Sequence, residues 1–422
     1  LESPAASQAR ATVRMQHGLD SRVWWGDPEA QRMTANTESF DRWIRGEFVE
    51  MNTALEEIYF AQSDRSAVEN IGDSIKKPLI EAGRSFILQL LQEGNTDEGF
   101  DSAFDLLGNV GLYMAACRRH DITEPSRETM SPLTEASGLA LHLGASIGVT
   151  PRFATSHLAT HNLAKQGKYK SFTSLRDESM FLEYNTRGIF AYKRAADALV
   201  RILPLGISHP VAYDLLADAR NALLDVAKWN EILFRELNTD RFFFSVRPYY
   251  KPYRVGLHEY RGANAGDFSG INEIDLLLGL CNANNISYSQ LLVDKFLFMM
   301  PEDQARLRDC MRRLSLMDSL LAELRGSQAQ PWFQRNARIY LEVCKAHGEA
   351  AFQHHNQLVK RFIETPSQEL PASRLTHITA SGPPLGVLLN SLEKLRDLRM
   401  AAERDDIPSR YRDIRALQRS LR

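Results

Sequence analysis

The sequence predicts an all-α protein: a large helical domain over residues 126–422 behind a smaller N-terminal helical portion, residues 1–125, whose first stretch reads as irregular. Three observations carry this. Apolar residues recur at helical steps of three and four along most of the chain. Strand-like alternation is scarce. A length of 422 residues exceeds what one hydrophobic core ordinarily serves.

In chain order, Phe40–Phe60 carries Ile44, Phe48, Met51, Leu55 and Ile58 on one face, with Ser39 placed to cap a single helix. Pro78–Leu91 follows, its proline suited to a first helical position. Further helices are expected over Phe100–Arg119, Ser179–Leu203, Ala212–Leu237, Ile271–Cys281, Ala305–Leu324, Asn336–Ile363 and Pro384–Ala402. The polar, proline-bearing run Asp121–Pro132 separates the two portions. Loops are expected over Gly144–Ser174, Arg247–Gly270 and Thr365–Pro384, and loops of that length in a helical protein are functional candidates.

Composition narrows the function. A formal charge of -2 and a pI near 6.7, without a basic block, speak against nucleic acid. The four cysteines stand far apart, which disfavours a disulfide framework or zinc knuckle and suits a reducing cytoplasm. No apolar run reaches the ~18 residues of a membrane span, so the expectation is a soluble protein.

Several chemistries fail on spacing. No glutamate precedes a histidine by three residues, against a carboxylate-bridged di-iron bundle. His157 and His161 stand four apart, yet in a Thr/Ser-rich stretch after Pro151 where a helix is doubtful. Gly144-Ala145-Ser146-Ile147-Gly148 fits a Gly-x-Ser-x-Gly elbow, and Leu139–Leu143 reads as a short strand before it, but no alternation of strands and helices surrounds it. Nucleotide-binding glycine motifs are missing.

Two residues remain. On a 3.6-residue period His355 shares its apolar face with Ala351, Gly348 and Cys344 on one side and Leu358, Val359 and Phe362 on the other. That face suits a haem iron with the macrocycle against small residues, and equally a core histidine held by a buried hydrogen bond. Arg247, inside Phe242-Phe243-Phe244-Ser245-Val246-Arg247-Pro248-Tyr249-Tyr250, is a guanidinium among rings. It calls for a substrate carboxylate, an internal Asp or Glu, or a cation–π contact with Tyr249 or Tyr250.

Together these segments resemble the indoleamine 2,3-dioxygenase-like superfamily, nearest to the family of the pyrrolnitrin-biosynthesis haem enzyme. His355-Asn-Gln-Leu-Val-Lys-Arg-Phe-Ile resembles the proximal helix, Phe242–Arg247 the carboxylate-binding segment, Ile147–Asn162 the oxygen-side loop, and Ser269-Gly270 with Asp275–Gly279 the flanking loop and helix. Pro151-Arg152, His157, Asn162, Phe172-Thr173, Asp177-Glu178, Leu182-Glu183 and Arg247-Pro248-Tyr249-Tyr250-Lys251-Pro252 resemble the nearer family. The likeness covers roughly Phe100–Ala402.

The resemblance implies haem b held by His355, rather than His354, with Ala351, Val359 and Phe362 beside it, and Arg247 on a substrate carboxylate. The implied pocket comprises Thr155, Leu158, Ala159, Phe181, Tyr184, Phe242, Ser269, Gly270, Thr379 and Ser381. It implies oxidation of the indole ring of tryptophan or a substituted, for example chlorinated, tryptophan by O2, with an electron donor to reduce the iron. The alternatives are a haem monooxygenase or peroxygenase, the latter driven by peroxide, acting on a tyrosine-like amino acid, and a non-catalytic haem carrier or sensor. Two departures bear on the reaction. The loop Thr379-Ala380-Ser381-Gly382-Pro383-Pro384 is stiffened by prolines, and Glu183 or Tyr184 stands where the dioxygenases have a small serine.

Overall fold

In the computed structural model, which describes residues 34–94, 99–263, 267–368 and 385–421, the expected first helix is two. Helix α1 (Ala35–Arg45) is capped by Thr34, whose hydroxyl accepts from the Thr37 N–H, and α2 (Glu47–Phe60) restarts after a break at Gly46. Phe40, Ile44, Phe48 and Leu55 are nonetheless fully buried, so the apolar ladder runs through the break. Helix α3 (Asp73–Glu93) begins earlier than expected, after the left-handed Gly72, where a Cβ would lie 2.4 Å from Leu55. Pro78 is therefore inside the helix, on its exposed side, where it removes one helix hydrogen bond.

Helix α4 (Phe100–Arg119) is buried almost throughout and forms the axis of a first core, which α5 (Thr134–Ile147) flanks. The rest of the molecule is organised by α6 (Arg176–Leu205) and α7 (Ala212–Glu236), which pack along each other. Against them lie α8 (Gly270–Leu278), α9 (Ile286–Phe296), α10 (Pro301–Arg312), α11 (Leu316–Ser327), α12 (Pro331–Gln353), α13 (Leu385–Arg399) and α14 (Tyr411–Ser420). The sheet among the described residues is one hairpin, β1 (Tyr253–Val255) with β2 (His258–Tyr260), antiparallel with Tyr253 opposite Tyr260. The protein is all-α, as expected.

One core joins α1, α3, α4 and α5 to the segment 153–172, the end of α7 and residues 242–263. The other joins α6 and α7 to α8–α14. Where α6, α7 and α12 meet, Ala191, Val226 and Ala350 form a separate cluster of small side chains beside Tyr192. No described helix is long and apolar enough to cross a membrane.

Candidate active site

Two stretches of π-helix mark the site. Phe242–Val246 is one, closed by the Arg247 N–H donating to the Phe242 carbonyl, and His354–Glu364, continuing α12, is the other. Such segments carry an extra residue per turn and concentrate at functional positions. They meet through rings. Phe242 lies 5.0 Å from Phe181 of α6 and 5.9 Å, edge-on, from Phe362, and Phe181 lies 5.7 Å from Tyr250. Tyr250 in turn packs on Phe153 and Phe172, and its buried hydroxyl has no hydrogen-bond partner among the described residues.

Arg247 closes the π turn that starts at Phe242. It is 5 % exposed, forms no ion pair among the described residues, and leaves Nη2 buried and unsatisfied. The internal salt bridge open at the sequence level is thus not made there. Its ring contact is Phe243, 5.5 Å away, rather than Tyr249 or Tyr250. Burial alone pulls its pKa from 12.5 down to about 10.

His354 and His355 diverge. His355 is buried with Val359 and Phe362, and its Nδ1 has no partner among the described residues. Gly348, two turns earlier, faces the Arg399 carbonyl and Met400, and a Cβ there would lie 3.1 Å from both. Burial lowers the His355 pKa, with Arg396 and Lys360 adding to it and Glu393 and Asp397 opposing. His354 has an open side. Yet burial, followed by the charges of Arg399, His355 and Lys295, pulls its pKa down to about 4. The ring thus borders the space between the segment and the charges of Arg399 and Lys295.

Helix α8 supplies the charge that organises this space. Gly270 at its start makes room for the Phe268 ring, since a Cβ would lie 2.9 Å from it. Asp275 accepts from Arg399 Nε and Nη2 at 2.8 and 2.7 Å, from His347 Nε2 at 2.7 Å and from the Tyr288 hydroxyl at 2.8 Å. Burial would raise its pKa, but the Arg399 charge and these bonds hold it well below the usual range. On α6, Gly188 is buried, and a Cβ there would meet nothing within 4 Å. A glycine in mid-helix costs stability; here it leaves room beside the helix.

Not all implied pocket residues converge. Phe181 and Phe242 do, and Phe362, expected beside the haem, joins them. Tyr184 packs 6.2 Å from Trp229 of α7, with Arg187 over its ring, and Ser269 gives its hydroxyl to Glu273. Thr155, Leu158 and Ala159 belong to a short helix, Thr155–Leu158, and its end, with Leu158 in the first core. Ala351 is partly buried. Thr379 and Ser381 lie outside the described residues.

His157 is structural: Nδ1 accepts from the Ala154 N–H at 2.8 Å, Nε2 pairs with the Phe104 carbonyl at 2.8 Å, and no group of three metal-ligating side chains occurs among the described residues. Ser146 sits in the last turn of α5, not on a strand, which removes the hydrolase elbow. Sequence reasoning did not single out Gly188, Tyr250 or Lys295 as candidates; for Gly188 the isolated glycine in a helical pattern was the available signal.

The comparison with known families decides the identity. A model described as monodechloroaminopyrrolnitrin synthase PrnB matches residues 34–421. The chain belongs to the PrnB family. It is therefore an enzyme, an oxidoreductase of a haem-dependent family that acts on a tryptophan-derived substrate. The residues of this PrnB-family chain fit such a group. An imidazole nitrogen buried and without a partner among the described residues, a helix glycine with room beside it and aromatic walls are what a flat, iron-bearing cofactor needs.

Proposed function

We propose that the protein oxidises the indole ring of tryptophan or a substituted, for example chlorinated, tryptophan, using O2 at a haem b held by the π-helical segment 354–364. The observation that carries this is Arg247: a buried guanidinium without an anion among the described residues, one π turn from Phe242 in an aromatic wall. An aromatic amino acid answers both features, its carboxylate on the guanidinium fork and its ring among Phe181, Phe242 and Phe362.

When bound, haem supplies an iron that activates O2 beside an electron-rich ring. The chain's own residues do the rest. His355 holds the iron, and Ala351, Val359 and Phe362 line the macrocycle. Arg247 orients the substrate, which converts binding energy into alignment. The rings of Phe181, Phe242 and Tyr250 keep water out, and the free Tyr250 hydroxyl offers one donor to a polar atom on the substrate ring.

A second reading concerns the ligand alone. His354 stands two turns beyond His347, on the face turned toward Asp275 and Arg399, and that placement supports His354 as the ligand in this second reading. The experiment is a titration of haem-loaded ferric protein with L-tryptophan, 7-chlorotryptophan and L-tyrosine, following the Soret band. A saturable shift with an indole amino acid supports the proposal. A shift with L-tyrosine alone supports hydroxylation of a tyrosine-like substrate, and no shift with any of them supports a carrier or sensor.

A further inference from the structure

A second cleft adjoins the π turn that presents Arg247, and it is lined by Arg118, Arg119, Glu124, Phe243, Pro248 and Lys251, with Val68 of the loop before α3 at its edge. Arg247 does not line it. Phe243 does, and its ring lies 5.5 Å from the Arg247 guanidinium, so the ring stands between the two places. The space is about 30 Å³, room for about two water molecules and too small for an aromatic amino acid.

The arginines that end α4 are both answered. Arg119 donates to the two oxygens of Glu56 at 2.7 and 2.8 Å and to the Phe244 carbonyl at 2.9 Å. Arg118 lies 2.9 Å from Glu124 and donates to the Pro252 carbonyl at 3.2 Å. Those two carbonyls flank the turn Arg247–Tyr250, so the arginines pin the backbone on either side of Lys251. Lys251 itself is 7 % exposed, lines the cleft, and makes no ion pair or side-chain hydrogen bond among the described residues. Burial, then the charges of Arg118 and Arg119, holds its pKa well below the usual lysine value, with Glu124 opposing. An ammonium stripped of water beside two guanidiniums is costly, and an anion in the cleft offsets that cost.

We propose that this cleft is a second anion site, in which Lys251 binds a small oxyanion, a carboxylate or phosphate group, in the positive field of Arg118 and Arg119. The site is distinct from the substrate seat at Arg247 and does not depend on the cofactor. Its donor is fixed before the ligand arrives, because the carbonyls on either side of Lys251 are already bonded.

The test follows the melting temperature of the full-length protein against inorganic phosphate and against acetate, with ionic strength held constant by KCl. Wild type should show a saturable rise with at least one of them; acetate alone assigns a carboxylate, phosphate alone a phosphate group. Lys251→Met should weaken that binding about tenfold or more, and Lys251→Arg should retain it. Val68→Phe, which fills the cleft and leaves every charge in place, should also abolish the saturable rise, and it decides the matter if Lys251→Met does not fold. Arg247→Met should keep it. No saturable rise in wild type, an equal rise in wild type and Lys251→Met, an unchanged rise in Val68→Phe, or a rise lost in Arg247→Met would overturn the proposal.

Discussion

Replacing Arg247 by methionine should make the ligand-free protein more stable and its substrate complex weaker. A guanidinium whose pKa is pulled from 12.5 to about 10 by burial alone carries its charge at a cost. At 1.36 kcal/mol per pKa unit that cost is about 3 kcal/mol, an upper figure because the 5.5 Å contact with Phe243 returns part of it. The sign is fixed by the direction of the shift: a base with a lowered folded pKa destabilises the fold at every pH below that pKa, so the full cost is present at pH 7. Methionine keeps most of the side-chain volume and removes the charge. The urea midpoint of the ligand-free variant should therefore rise. Its dissociation constant for the indole amino acid should rise about 100-fold, the loss of a charge-assisted bidentate contact worth about 2 to 3 kcal/mol. Arg247→Lys should recover only part of the affinity, since an ammonium lacks the fork. A variant that is less stable than wild type and binds substrate equally well would show Arg247 to be a structural cation, and the reasoning would fail.

Gly188→Leu should fold normally, because helix propensity improves by up to about 1 kcal/mol, yet lose haem or substrate affinity as the side chain fills the room beside α6; unchanged Soret titrations would contradict this. Asp275→Asn should cost about 3 to 5 kcal/mol by stranding Arg399 without its carboxylate, read as a lower urea midpoint. His157, held neutral with its pKa pushed to about 3, makes stability fall as pH drops below 6.5, since the unfolded chain binds the proton first. Melting temperatures of wild type and His157→Gln should therefore converge between pH 7.5 and 5; Glu178, raised to about 7, acts in the opposite sense in both proteins and cancels. A constant gap between the two proteins would refute the assignment.

The helical architecture was legible because amphipathic period survives in a single sequence. Ile44, Phe48 and Leu55 read as one face and are buried as one, although Gly46 breaks the helix between the first two, which no period reveals. Leu139–Leu143 resembled a strand because a short apolar run has the same pattern in either state; in the fold it is the middle of α5. Helix α9 went unread, and Lys295 with it. Neither π segment is visible to a 3.6-residue template, although residue type and neighbourhood single out Arg247 and His355, one at the end of the first and one inside the second. Convergence was harder still: Phe181 and Tyr184 lie three apart on one helix, yet one faces Phe242 and the other Trp229, a choice made by α7 rather than by local sequence.

The central claim is that the 354–364 segment holds a haem iron through a histidine. The direct measurement is the haem content and Soret spectrum of wild type, His355→Ala and His354→Ala, reconstituted side by side. The account predicts stoichiometric haem in wild type, its loss in His355→Ala, and retention in His354→Ala; loss in His354→Ala alone moves the ligand by one residue. Equal haem and identical spectra in all three proteins would contradict the claim.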